Sequence, residues 1–188
     1  MADDEGASPK ELLLEACRRN NTTLLSEVFE GSSLKSNAPA IAKFLNTTTD
    51  ALGASALHVA AQYGSYEVLD MILDQEGVEI DGQDRREGDT PLHSAVRFSN
   101  GLSKEEWDHG RAIVDILVDA GWNKGTAIDI HGGRIRNNAK LRPVDLVDPR
   151  NTDLRTALQK AELTLVASSD LVNEDEDDGP EGPGSDSD

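Results

Sequence analysis

The sequence predicts a mainly α-helical solenoid of stacked helix-turn-helix units. One observation is an internal repeat, because "SALHVAAQYGS" at residues 55–65 aligns with "TPLHSAVRFSN" at residues 90–100. From Leu57 to Leu92 the offset is 35 residues, and His58 aligns with His93. A second observation is composition: 37% of residues are hydrophobic, and no apolar run approaches the length of a membrane-spanning helix. A repeat of this length is typical of a solenoid of short helical units.

Three predicted second helices share the same apolar spacing. The segments "TLLSEVF", "EVLDMIL" and "AIVDILV" each place two apolar residues, skip two positions, and place two more. That spacing brings four apolar side chains to one face of a helix. One helix pair cannot bury such a face alone, so about three or more units must stack.

The repeated segments resemble ankyrin repeats, whose signature is T-P-L-H-x-A. Thr90, Pro91, Leu92 and His93 match the signature in full, whereas Ser55 and Ala56 replace its Thr-Pro in the preceding unit. The resemblance covers roughly residues 8–165, and the layout also resembles small fungal ankyrin-repeat proteins. It implies about four repeats near residues 10–45, 50–83, 84–123 and 137–165, with atypical first and last units. It also implies that His58 and His93 fasten neighbouring loops.

Three segments depart from a plain repeat. Residues 31–53 are long for a linker, and Pro39 to Leu45 could form an extra short helix. Residues 99–108 contain a capping box from Ser103 to Glu106, which predicts a long helix from about Lys104 to Ala120. Residues 123–140 alternate Ile128 and Ile130 with polar residues before "HGG", which predicts a short, basic β-hairpin insertion, with a solvated loop as the alternative.

The two ends of the chain are predicted to lie outside the fold. Residues 1–7 are expected to form a flexible N-terminus, and the repeat domain is expected to span residues 8–167. Residues 168–188 contain nine acidic and no basic residues, which predicts a disordered acidic tail. This tail could contact a partner, fold back onto the basic hairpin, or only increase solubility.

Charge and cysteine content restrict the classes of partner. The net charge is −18, and 27 acidic residues against 18 basic ones remain without the tail. This balance argues against direct binding of nucleic acid or anionic membrane, and favours a protein partner, which could be basic. A single cysteine, Cys17, excludes an intrachain disulfide, and the acidic N-terminus does not resemble a signal peptide. We therefore expect a monomeric protein of the cytoplasm, the nucleus or both.

Nothing in the sequence supports catalysis. His58 and His93 recur because the unit recurs, and no Cys or carboxylate accompanies them at zinc-like spacing. Phosphate-binding and nucleophile-elbow motifs are absent from the sequence. We expect no catalytic residue, no metal and no cofactor.

Partner-binding positions follow from the family resemblance. It implies contacts through the loop tips and the exposed side of the first helix in each unit. Carried onto this sequence, and with Trp107 added from the 99–108 insertion, these positions are Leu52, Gln62, Tyr63, Arg85, Arg86, Asp89, Arg97, Phe98 and Trp107. Tyr63 and Phe98 could instead shield helix ends, and Trp107 could pack against the body.

The sequence is compatible with two functions. The first is a non-enzymatic interaction module that escorts a basic client such as a ribosomal protein or a histone. The second is a regulatory adaptor or inhibitor that uses its concave face to bind a signalling or transcription protein.

Overall fold

The chain folds into consecutive helix pairs, as the repeat predicts. The computed structural model describes residues 6–31, 34–123 and 135–170. The pairs are α1 (Pro9–Arg19) with α2 (Thr22–Glu30), α4 (Ala56–Gln62) with α5 (Tyr66–Leu73), α6 (Pro91–Asn100) with α7 (Trp107–Asn123), and α8 (Pro143–Leu146) with α9 (Thr152–Asp170). Helix α3 (Ala38–Thr47) lies between the first two pairs and is the extra helix that the linker predicted. The mainly α-helical solenoid is therefore confirmed.

The helix pairs stack in two layers. The first helices α1, α4, α6 and α8 pack against one another in chain order and form the first-helix layer. The second helices α2, α5 and α7 do the same and form the second-helix layer. Their repeated apolar pairs supply buried residues of the shared core, among them Leu25, Val28, Val68, Leu69, Ile72, Ile113, Val114 and Leu117.

Helix starts follow local sequence signals. Ser8 caps α1, and its side chain exchanges hydrogen bonds with Glu11 in a capping box, with Pro9 in the first turn. Ser103 and Glu106 form another box, at the start of a 3₁₀ turn at Lys104–Glu106 that leads into α7. The long second helix of the third unit thus exists, but it continues through Gly121 to Asn123 rather than ending near Ala120.

Two predicted segments are only partly described. Residues 124–134 of the predicted hairpin lie outside the described residues, and residues 135–140 form a turn without a strand. The isolated bridge between Thr49 and Ser55 is the strand-like pairing seen in the described part of the chain. Helix α9 continues to Asp170, three residues into the predicted tail, and residues 171–188 lie outside the described residues.

Candidate protein-binding surface

Three loop tips lie in series at the amino-terminal ends of α4, α6 and α8. They comprise residues 49–55, 83–89 and 136–141. Backbone and side-chain hydrogen bonds join the second and third tips, from Asn138 N–H to the Glu87 carbonyl at 2.8 Å and from Gln83 Nε2 to the Arg136 carbonyl at 3.1 Å. The second and third tips therefore form one surface with their backbones held together.

His58 and His93 join each unit to the next tip. The Ser55 N–H donates to His58 Nδ1 at 3.2 Å, so the neutral ring carries its proton on Nε2, which donates to the Asp89 carbonyl at 2.8 Å. His93 repeats this arrangement with the Thr90 N–H at 3.1 Å and the Leu141 carbonyl at 3.0 Å. Burial lowers the pKa of both imidazoles. Both rings are neutral and buried, and both nitrogens of each ring form hydrogen bonds. Each histidine therefore joins its own loop to the next one.

Asp89 is buried, contrary to the expectation that it lies exposed on a tip. Its side chain is 4% exposed and accepts hydrogen bonds from Arg97 Nε at 2.6 Å and Asn137 Nδ2 at 2.8 Å. Burial opposes its charge, but Arg97 and Asn137 outweigh burial and hold the pKa of the carboxyl below its ordinary value. The Asp89 carboxylate thus joins the third unit to the fourth. The backbone carbonyl of the same residue joins the second unit to the third through His58.

Leu52, Arg85 and Arg86 lie on the tips as predicted. Leu52 is 50% exposed, and both arginines are exposed. Gly53 has a φ of +82°, and a Cβ added there would lie 2.5 Å from Arg85 Cγ. The arginine stem therefore crosses the glycine of the preceding tip and leaves the guanidinium at the surface.

The two predicted aromatic contacts differ in environment. Tyr63 is 52% exposed at the end of α4, beside exposed Gln62. Phe98 is half-buried, and its ring stands edge-on to His109 at 5.6 Å between centroids. A Cβ added to Gly64 would lie 2.1 Å from Phe98 Cζ, so the ring covers that glycine. Tyr63 is thus available to a partner, whereas Phe98 packs against the end of α4.

Arg97 and Trp107 are the remaining predicted contacts. Arg97 pairs with Asp89, and its side chain is 47% exposed. Trp107 begins α7 and is half-buried. The structure brings Gln62, Tyr63 and Arg97 to the first-helix layer and Leu52, Arg85 and Arg86 to the tips, while Trp107 begins a second helix.

Three asparagines connect neighbouring segments, and the sequence patterns did not single them out for this role. The side-chain Oδ1 of Asn20 accepts from Val68 N–H at 3.1 Å, and its Nδ2 donates to the Glu67 carboxylate. Asn46 bridges the Gly77 carbonyl and Glu79 N–H, both at 2.9 Å. Asn100 bridges the Leu146 carbonyl and Asp148 N–H in the same way. Each asparagine lies at or next to a helix end, which is the available sequence signal.

The two layers differ in charge. Helices α2, α5 and α7 together contain seven acidic residues and one basic residue, Arg111. Helices α1, α4, α6 and α8 contain four basic and three acidic residues. The 83–89 and 136–141 tips add exposed Arg85, Arg86, Arg136 and Lys140. The second-helix layer is therefore acidic, whereas the tips carry exposed positive charge.

The described residues offer little reactive chemistry. Cys17 is buried in α1, and burial raises its thiol pKa to about 12, so it is a thiol at neutral pH. Across residues 6–31, 34–123 and 135–170, no group of three or more His, Cys, Asp or Glu side chains could hold a metal ion. None of the helices within those ranges is both long and apolar enough to cross a bilayer.

Stacked helix pairs joined by polar loop tips define a repeat scaffold of the kind that binds other proteins. A family model of ankyrin repeats matches residues 40–103. The chain is 43% identical over 183 residues to the ankyrin repeat-containing protein YGL242C of Saccharomyces cerevisiae, covering 94% of this chain and 93% of that protein. It is also 27% identical to a transient receptor potential cation channel subfamily A member 1 homolog of Caenorhabditis elegans, over 77% of this chain and 11% of the channel.

The chain belongs to the ankyrin-repeat family. The resemblance carried by Thr90 to His93 is thereby confirmed. Ankyrin repeats are protein–protein interaction modules and are generally non-enzymatic.

Proposed function

We propose that this ankyrin-repeat protein escorts a basic client, such as a ribosomal protein or a histone, and holds it on the second-helix layer. The observation that carries the proposal is the charge of that layer. Exposed acidic residues recur on α2, α5 and α7, namely Glu27, Glu30, Glu67, Asp70, Asp108 and Asp119. The one basic residue of these helices, Arg111, is paired with Asp115 at 2.7 Å. The acidic field of this layer therefore remains available to a cationic partner.

An acidic layer of this kind favours capture by long-range attraction. Complementary charge raises the rate of encounter and suppresses binding of acidic competitors. The carboxylates of one layer follow the stacking of the helices, whose axes lie about 8–10 Å apart. Such spacing suits an extended or helical basic segment laid across several units. This function needs no catalytic group and no cofactor, and we place it in a monomer acting in the cytoplasm or nucleus.

The test reverses charge on this layer. Asp70 and Asp119 are exposed, one on α5 and one on α7. We expect D70K/D119K to weaken binding of a purified core histone about tenfold at low salt, because two attractions become repulsions. Isothermal titration calorimetry measures the affinity.

The matched control is E76K/E79K, which makes the same net charge change at two exposed residues that follow α5, outside the three helices. Equal weakening by both variants would show that only net charge matters and would contradict a site on the second-helix layer. No binding of the histone by the unaltered protein would exclude this client.

A second candidate is a regulatory adaptor or inhibitor that binds a signalling or transcription protein through the first-helix layer. Tyr63 favours it, because a half-exposed tyrosine beside exposed Gln62 resembles the aromatic anchors of protein interfaces. We expect Y63A to abolish capture of such a partner while leaving histone binding unchanged. Histone binding lost in Y63A but retained in D70K/D119K would instead mean that the basic client binds the first-helix layer, and it would contradict the proposed site on the second-helix layer.

A further inference from the structure

Two adjacent tips carry exposed basic residues on an otherwise acidic protein. Arg85, Arg86, Arg136 and Lys140, here called the basic tip surface, are all exposed. The hydrogen bonds between residues 83–89 and residues 136–141 hold their backbones side by side. The four cations therefore share one patch.

The carboxylates of these tips do little to neutralise the patch. Asp84 is turned into its own loop, where its Oδ1 accepts from Glu87 N–H at 2.9 Å and Asp89 N–H at 3.2 Å. Asp89 is buried beneath the tip. Glu87 pairs with Arg86 at 3.4 Å, and Arg85 makes no ion pair within the described part of the chain. A surplus of positive charge remains at the surface.

Helix α9 ends on the same side of the molecule as the basic tip surface. Arg142, two residues after Lys140, caps α8 and donates to Glu162 at 3.0 Å. This ion pair places residue 162 of α9 level with the tips. The helix then continues for eight residues to Asp170, or about 12 Å at 1.5 Å per residue.

Residues 171–188 begin where this helix stops. They contain eight acidic residues and no basic residue. Eighteen residues can span up to about 60 Å, whereas packed neighbouring helices lie about 8–10 Å apart. The segment is long enough to reach both tips from the end of α9.

We propose that the basic tip surface binds residues 171–188 of the same chain. Covalent attachment gives the acidic segment an effective concentration of about millimolar, so a weak contact is sufficient to populate the bound form. The attraction acts between solvent-exposed charges and is sensitive to salt for that reason. This intramolecular contact is independent of the proposed client, which would lie on the second-helix layer.

The experiment places a spin label on the tail and observes backbone amides of the full chain by NMR. S185C supplies the labelling site, since buried Cys17, with its raised pKa, reacts poorly. At low salt we expect loss of amide intensity for residues 83–89 and 136–141, with little change for α2. At about 1 M salt, where the Debye length is about 3 Å, the intensity should return.

Paired variants locate the contact. R85E/R86E should restore the amide intensity, whereas R18E/R19E, an equal charge change on α1, should not. A tail with Glu174, Asp175, Glu176, Asp177 and Asp178 changed to the matching amides leaves the folded repeats untouched and should also restore it. These results would support the contact between tail and tips.

Three outcomes would overturn the proposal. One is full amide intensity at the tips in the labelled, unaltered protein at low salt. Another is intensity loss that persists in R85E/R86E or in the neutral-tail variant. The third is equal loss in a mixture of ¹⁵N-labelled protein without spin label and spin-labelled protein without ¹⁵N, because the tail would then bind another molecule.

Discussion

The loop tips and the second-helix layer of the same repeat are stabilised by different interactions. The tips must satisfy buried polar groups, and they do so through His58, His93 and Asp89, each bonded to a neighbouring unit. The second-helix layer is held by apolar side chains such as Leu69 and Leu117, and its outward positions bear acids. Stability at the tips therefore depends on particular hydrogen bonds, whereas the outer surface of the second helices is free to carry charge.

The largest expected effect comes from breaking the polar network beneath the tips. D89A removes the carboxylate that accepts hydrogen bonds from Arg97 and Asn137. The buried side-chain amide of Asn137 then loses this acceptor. Burying an unpaired donor and losing charge-assisted hydrogen bonds should together lower the free energy of unfolding by about 3 kcal/mol. Urea unfolding followed by circular dichroism measures the change.

The control for D89A is E87A, two residues away and exposed on the same tip. It should change the free energy of unfolding by less than about 0.5 kcal/mol. Equal effects of the two substitutions would contradict the role of Asp89 in joining the units.

A smaller effect should separate the two aromatic residues of the first-helix layer. F98A removes a half-buried ring that covers Gly64 and contacts His109, so we expect a loss of about 2 kcal/mol in the free energy of unfolding. Y63A should cost less than about 0.5 kcal/mol, because the ring is exposed. Thermal and urea unfolding of both variants measures these two losses. A larger loss for Y63A than for F98A would contradict the assignment of Phe98 to packing and of Tyr63 to the exposed surface.

The smallest expected effect is a pH dependence that arises at the tips. The folded pKa values of His58 and His93 lie below the ordinary 6.5 because the rings are buried, so the unfolded chain binds protons more readily. Their contribution to stability is complete above about pH 6.5 and is lost as pH falls from there through the folded pKa values. Protonation of Nδ1 would also remove the acceptor of the Ser55 and Thr90 N–H groups.

Urea unfolding midpoints measured between about pH 7.5 and pH 5.5 test this loss of stability. This pH range lies above the ordinary pKa values of carboxyl groups. Asp81 has the opposite effect on stability at lower pH. Burial raises the pKa of its carboxyl above 3.8, so its protonation on acidification favours the folded state. A midpoint that rises on acidification across this range would contradict the neutral, hydrogen-bonded histidines.

The helices could be predicted from sequence because periodic apolar pairs and caps are local signals. Ser8 with Glu11, and Ser103 with Glu106, both marked helix starts that the structure contains. The burial of Asp89 could not be predicted, because it depends on Asn137, 48 residues further along the chain. The bridging roles of Asn20, Asn46 and Asn100 were missed for the same reason.

The candidate surface was only partly predictable. Exposure of Leu52, Tyr63, Arg85 and Arg86 followed from the repeat register. The segregation of charge did not, because net charge says nothing about which layer carries it. That segregation appears only when the stacking of α2, α5 and α7 places their acids together.

Chemical-shift mapping with a Lys/Arg-rich peptide tests most directly whether the acidic second-helix layer is the site for a basic client. We predict that the amide shifts at low salt concentrate on residues 22–30, 66–73 and 107–123 and that the tips at residues 83–89 and 136–141 stay unchanged in a chain lacking residues 171–188. Shifts concentrated on the tips or on the first helices, or no shifts at all, would contradict the account.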